Sequence, residues 1–301
     1  MVIPVMLSIP SIVAICIMVG VLLFAYLKKV AITFALIIAN LFVFFISSIY
    51  THEILVELGF SPMYLSEGYI SNLFTLFTSM FVHAGYLHIL GNMLVLFFIG
   101  MAFEQRVGRK RFLIIYLTTG ICGAITFSIV NWGSPTLLVG ASGAIFGILG
   151  AFAAAYPRDE VVMPIPVGIM FITRMRVVTA AIIFALFETL LVFLSPYMQD
   201  NTAHFAHLGG LVSGMILAML MIKNRGLYTE TSKGWNTGVL EEFAQTPEQF
   251  EILEKIKNER IPEVRRLWLN KFMETARCPK CGKPLLFTKN GVICKNCGFR
   301  R

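Results

Sequence analysis

Charge is scarce in this chain. Asp, Glu, Lys and Arg make up 14% of its 301 residues, while 57% are hydrophobic and the mean hydropathy is +0.76. A soluble domain carries about 25% charged residues, so an ordinary water-soluble fold is excluded. Basic residues are missing from whole connections: none occurs in 1–7, 51–84, 132–136 or 196–202, which hold Glu53, Glu57, Glu67 and Asp200 instead. No positive segment precedes the first apolar run, which reads as a retained anchor rather than a cleaved leader. Internal repeats and low-complexity tracts are lacking. Cys16 and Cys122 stand alone in apolar runs and read as small inert hydrophobes.

What is present is apolar sequence in blocks. Runs long enough to cross ~30 Å of hydrocarbon, roughly 20 residues each, lie at 8–27, 31–50, 85–104, 112–131, 137–156, 177–195 and 203–222. Seven spans are therefore expected. A shorter apolar piece, Val161 to Ile172, is broken by Pro164 and Pro166 and reads as a loop or re-entrant segment. Up to residue 222 the nine basic residues (Lys28, Lys29, Arg106, Arg109, Lys110, Arg111, Arg158, Arg174, Arg176) all fall in alternate connections: 28–30, 105–111 and 157–176. Basic loops stay in the cytoplasm, so the expected topology is a multi-pass cell-membrane protein with its amino terminus outside and everything after Ile222 inside. The long connection 51–84 carries apolar patches at Ile54-Leu55-Val56 and Met63-Tyr64-Leu65, and is expected to lie partly in the membrane interface.

The composition turns soluble at Lys223. Sixteen basic and nine acidic residues give 223–301 a net +7, a balance read as positive-inside bias plus a solvated surface; no nucleic-acid partner is expected. Thr246-Pro247-Glu248 marks a helix start, with Phe250, Leu253, Ile256 and Lys257 following at helical spacing. Pro262 opens a second helix with Val264, Leu267, Trp268 and Phe272 on one face. The remaining four cysteines form two C-x-x-C pairs, Cys278/Cys281 and Cys294/Cys297, each followed by a glycine, Gly282 or Gly298. Four thiolates at this spacing suit a tetrahedral structural zinc, and a cytoplasmic location keeps them reduced. A four-sulfur site leaves no open position, so no catalysis is expected there.

Polar residues inside the spans mark function, because they are costly at membrane depth. Ser142 lies five residues into its span and His207 four into its own, both counted from the outer side. Gly143/Gly147 and Gly210/Gly214 form small-residue faces that let two helices approach closely enough for a Ser–His hydrogen bond. That pairing suits a nucleophile and its base. The spans bearing them carry no carboxylate at comparable depth, so a dyad without an acid is expected. His88 and Asn92, at i and i+4, share one face of the third span and suit an oxyanion hole, with the Ser142 N–H as a further donor. Glu188 in the sixth span is expected to be paired within the bundle or to face a wet cavity; a catalytic-acid role is the minor reading, since nothing in the sequence brings it to His207. His83 and His204 read as structural or interfacial, though His204, three residues before His207, can share its helix face.

In order and spacing, H-x-x-x-N, then G-A-S-G-A-x-x-G, then A-H-L-G-G-x-x-S-G resembles the rhomboid intramembrane serine proteases over residues 31–223. The resemblance implies Ser142 as nucleophile, His207 as general base, and His88, Asn92 and the Ser142 amide as oxyanion hole. It implies transmembrane protein substrates and no cofactor for catalysis. The family's E-x-R element is matched by Glu104-Gln105-Arg106. Phe74-Thr75 stands where many members carry Trp-Arg, and Phe146 where some carry a tyrosine that stacks on the histidine.

The expected architecture is an all-α polytopic membrane protein. A six-helix rhomboid-like bundle (31–223) is joined to one extra N-terminal transmembrane helix (1–30). A cytoplasmic helical linker (224–275) and a zinc ribbon (276–301) follow, the ribbon serving a cytoplasmic protein partner or acting as a folding unit. Two competing readings remain: a proteolytically dead helix-binding relative, and a transporter or channel using His88, Asn92, His207 and Glu188 as a polar pathway.

Overall fold

The computed structural model describes residues 7–167, 169–198, 203–222, 238–259, 262–288, 291–294 and 296–300. The chain divides into two compact units, 1–224 and 225–301. Asp200, Lys223 and the linker up to 237 lie outside the described residues.

Among the described residues the apolar helices of the first unit include α1 (Ile9–Lys28), α2 (Ile32–Ile49), α4 (Tyr86–Val107), α5 (Arg109–Val130), α6 (Ser142–Ala155), α7 (Val177–Met198) and α8 (His204–Met221), with the short α3 (Thr51–Leu58) between α2 and α4. Six are long and apolar enough to cross a membrane; α6, at 14 residues, is not. At ~1.5 Å per residue α6 is only about 21 Å long. It is the central element, packed against α8 and α5, and its Ala144, Ile148, Ala151 and Phe152 are buried.

Carboxylates fix two helix starts. Glu104, near the end of α4, is buried and accepts the N–H groups of Ile32 and Thr33 at 2.7 and 2.8 Å and the Thr33 hydroxyl at 2.7 Å. These are otherwise unsatisfied donors at the positive end of α2. A π turn at Leu96–Gly100 precedes Glu104, and Gly100 sits directly against Thr33. In the same way Glu57 on α3 accepts the N–H and hydroxyl of Ser8 at 2.8 and 2.9 Å, capping α1. Arg109 reaches the Ala25 and Tyr26 carbonyls at the far end of α1, and Arg106 pairs with Asp159 at 2.7 Å. The basic loops thus gather at one end of the bundle.

Two expectations are corrected. The span anticipated at 137–156 is helical only from Ser142: residues 138–140 are not helical, with Leu138 pairing with Phe60 in both directions and the Gly140 N–H donating to the Ser79 carbonyl. The segment Val161–Ile172 is not a loop or re-entrant piece but part of an antiparallel hairpin, β1 (Glu160–Val167) with β2 (Ile169–Arg176). A two-stranded ribbon has two free edges, so prolines two residues apart, Pro164 and Pro166, can both turn their missing N–H outward. The connection 51–84 packs onto the bundle: Ile54, Leu58, Phe60, Met80, Phe81 and Val82 are buried.

In the second unit, α9 (Pro247–Asn258) starts where expected, with a reciprocal cap between Thr246 and Gln249. Helix α10 (Pro262–Thr275) and a small hairpin, β3 (Leu286–Thr288) and β4 (Gly291–Ile293), complete it. Leu253, Ile256 and Phe272 are buried, as their helical spacing implies, and share a core with Ile252, Leu269, Cys278, Leu285 and Cys294, while Phe250 and Leu267 of the expected faces are exposed.

Candidate active site

Ser142 and His207 meet. Ser142 opens α6, and His207 lies one turn into α8; the serine Oγ and His207 Nε2 are 2.7 Å apart. Backbone proximity allows it. A Cβ on Gly210 would overlap the Gly143 carbonyl, and one on Gly214 the Gly147 carbonyl. The small-residue faces expected from sequence are therefore the contact itself. Phe146, one turn after the serine, stacks flat on the His207 ring, with centroids 4.6 Å apart and planes within 2°.

The non-helical segment before the serine carries a second constraint. Gly140 has φ +122°, a region that L side chains rarely adopt, and a Cβ there would strike His88 at Nε2 and Cε1. The same point is 3.7 Å from Ser142 Oγ, so His88 and the serine hydroxyl flank Gly140. Asn92 is buried one turn further along α4 and donates to the His88 carbonyl at 2.8 Å. His83 packs edge-on against His88. Burial, with His88 nearby, pushes the His83 imidazole down to about 3 although the Phe81 backbone opposes this. It is therefore neutral, and its Nε2 accepts the Ala141 N–H at 3.5 Å. Beside these groups a cavity of about 20 Å³ is lined by Val139, Gly140, Ser142, Gly143, Ala144 and Ala206, room for roughly one water.

The expectation that Glu188 is paired within the bundle named no partner; the structure supplies two. Glu188, halfway along α7, is buried with Oε2 at 2.6 Å from His204 Nδ1 and 3.1 Å from His207 Nδ1. A site expected to lack a carboxylate has one, donated by a helix other than the two bearing the serine and the histidine. The signal was a lone acid at membrane depth; its partner was not readable because α7 and α8 pair only in three dimensions.

The second unit holds a separate cluster. The Sγ atoms of Cys278, Cys281, Cys294 and Cys297 all lie within 4.8 Å of one another, with Cys278–Cys297 at 3.6 Å and Cys281–Cys294 at 3.5 Å. Sulfurs on a tetrahedral ion with bonds of ~2.3 Å stand about 3.8 Å apart, so the four can hold a metal ion. The two knuckles are built alike: the Gly282 N–H returns to the Cys278 carbonyl and the Gly298 N–H to that of Cys294, with φ near +70° at both glycines.

Comparison with known proteins agrees with the membrane unit. A family model described as the Rhomboid domain matches residues 70–224. RHOMBOID-like protein 1 of Arabidopsis thaliana is 35% identical over 147 residues, covering 49% of this chain and 34% of that protein. The putative rhomboid protease YdcA of Bacillus subtilis is 30% identical over 151 residues, 50% of this chain and 68% of that one. The rhomboid protease GluP of the same organism is 34% identical over 145 residues, 48% and 25% respectively. The chain therefore spans about a third of the Arabidopsis relative's length. Helices α1 and α2 and the cysteine cluster fall outside the matched residues. With its polytopic helical bundle and half of its length matched, the chain belongs to the rhomboid family.

Proposed function

We propose that this protein is an intramembrane serine endopeptidase that hydrolyses peptide bonds in or near transmembrane helices of other proteins. The observation that carries this reading is the 2.7 Å contact between Ser142 Oγ and His207 Nε2. In the proposed reaction Ser142 Oγ bonds to the scissile carbonyl carbon while its proton passes to His207 Nε2. The C–N bond then breaks, and that proton leaves with the amine. A water, deprotonated by the same nitrogen, hydrolyses the acyl-enzyme and returns Ser142. The oxyanion is met by the Ser142 N–H with His88 and Asn92. His88 is supported in this by its position across Gly140.

Substrate helices have to unwind locally, because a helical peptide bond is shielded by its own hydrogen bonds, so cleavage sites are expected to hold small or helix-destabilising residues. The basic end of the bundle supports a cytoplasmic carboxyl terminus and a site opening near the outer leaflet. The four cysteines would bind zinc as a folding element of the second unit, which would serve a cytoplasmic partner and supply no chemistry to the membrane site.

The test is cleavage of a transmembrane reporter by the reconstituted full chain. Ser142→Ala is expected to lower the rate by at least about 10³-fold while leaving the melting temperature unchanged. A full rate in that variant overturns the reading, and flux through liposomes that survives it would favour transport.

A further inference from the structure

The serine and its base leave two buried groups without a task, Glu188 and His204. Glu188 is the inward polar residue of a helix whose Ile182, Ile183, Leu186, Phe187, Leu190 and Phe193 are all exposed on the bundle surface. A carboxylate placed in such a helix is costly unless it is paired. It meets both imidazoles through one oxygen, and the Glu188, His204 and His207 side chains are each more than nine-tenths hidden.

We propose that Glu188 is a positioning residue for the general base: its Oε2 accepts the Nδ1–H of His207, and His204 anchors the carboxylate in place. The proposal rests on the assignment of Ser142 and His207 as nucleophile and base. A neutral imidazole carries its proton on either nitrogen, and only the Nδ1–H form offers Nε2 as acceptor for the serine proton. A carboxylate at Nδ1 selects that form. When Nε2 takes the serine proton, the imidazolium faces the same carboxylate; the Nδ1 proton stays where it is throughout.

The His207–Glu188 approach is not yet a straight hydrogen bond, and His207 Nδ1 has no other hydrogen-bond partner among the described residues. Catalytic hydrogen bonds are often loose before substrate binds and tighten afterwards. The groups facing His207 are Ser142 and Phe146 from α6, Glu188 from α7, His204 from its own helix and, at longer range, His88 from α4. Glu188 is the single anion in that set.

The three ligand atoms are also close enough to hold a metal ion. Nitrogen and oxygen ligands on a tetrahedral ion with bonds of 2.0–2.1 Å stand about 3.3 Å apart. The 2.6 Å contact to His204 is shorter and has the length of a charge-assisted hydrogen bond. A proton bridges these groups better than a metal does.

The experiment measures kcat and KM for a transmembrane reporter in liposomes with the full-length protein, alongside fluorophosphonate labelling rates. The variants are E188Q, E188D, H207A and H207A/E188Q. E188Q is expected to lower kcat by roughly 10²-fold with KM within about threefold. E188D should recover much of that loss, and in the H207A background E188Q should cost nothing further. A kcat for E188Q within threefold of wild type overturns the proposal, as does an equal loss with and without His207. So does a dependence of wild-type rate on added or chelated zinc that E188Q removes. Should E188Q fail to fold, a downfield His207 Nδ1 proton resonance in the wild-type protein carries the same test, and its absence counts against the proposal. Labelling of wild-type Ser142 with no effect of E188Q sinks the Glu188 role alone; no labelling and no turnover in the wild type sinks the protease assignment as well.

Discussion

The two units each gather four polar or sulfur side chains, by opposite means. In the second unit the cysteines come in adjacent pairs, Cys278/Cys281 and Cys294/Cys297, on two short knuckles whose glycine turns are local in sequence. In the membrane unit Ser142, Glu188, His204 and His207 come from α6, α7 and α8, up to 65 residues apart, and meet because those helices pack together. A cluster written locally needs a ligand to hold it. A cluster assembled by helix packing needs small residues at the crossing and capped helix ends.

That contrast can be broken first at the four cysteines proposed to hold zinc. Exhaustive chelation, or Cys278→Ser with Cys294→Ser, is expected to unfold the second unit cooperatively. Structural zinc contributes on the order of 10 kcal/mol in small domains. Fluorophosphonate labelling of the membrane unit should stay within about twofold. Loss of labelling together with the zinc would show that the second unit controls the first.

The helix crossing provides the next test. Gly214→Val forces a branched side chain onto the Gly147 carbonyl, with no flexible neighbour to yield. Overpacking of this kind costs about 1–3 kcal/mol, so a lowered melting temperature and slower labelling should appear together. Unchanged labelling would mean that α6 and α8 do not need this approach to bring Ser142 to His207. The smallest effect belongs to the second unit, where Thr246→Ala removes the side-chain half of the α9 cap. It should cost about 1 kcal/mol in a denaturation curve of that unit and leave the membrane site untouched.

Legibility followed the same division. Helix positions, the Ser142–His207 meeting and the cysteine cluster were readable because hydropathy, small-residue spacing and C-x-x-C pairs are local patterns. The flat stacking of Phe146 on His207 follows what the rhomboid resemblance implied, with Phe146 in the place of a stacking tyrosine. Three features were not readable. The helix start at Ser142 depends on Phe60 and Ser79 binding Leu138 and Gly140 outside the helix, and hydropathy counts those residues as span. The hairpin at 160–176 was hidden by prolines that only an edge strand tolerates. Glu188 was visible as an anomaly, yet which imidazole it would meet depended on the packing of α7 against α8, which no local pattern encodes.

The most direct measurement is to map the adduct of a fluorophosphonate on the reconstituted full-length protein by peptide mass spectrometry. The account expects one adduct, on Ser142, formed in the wild type and lost in His207→Ala. An adduct elsewhere, or labelling of Ser142 at an undiminished rate without His207, would contradict it.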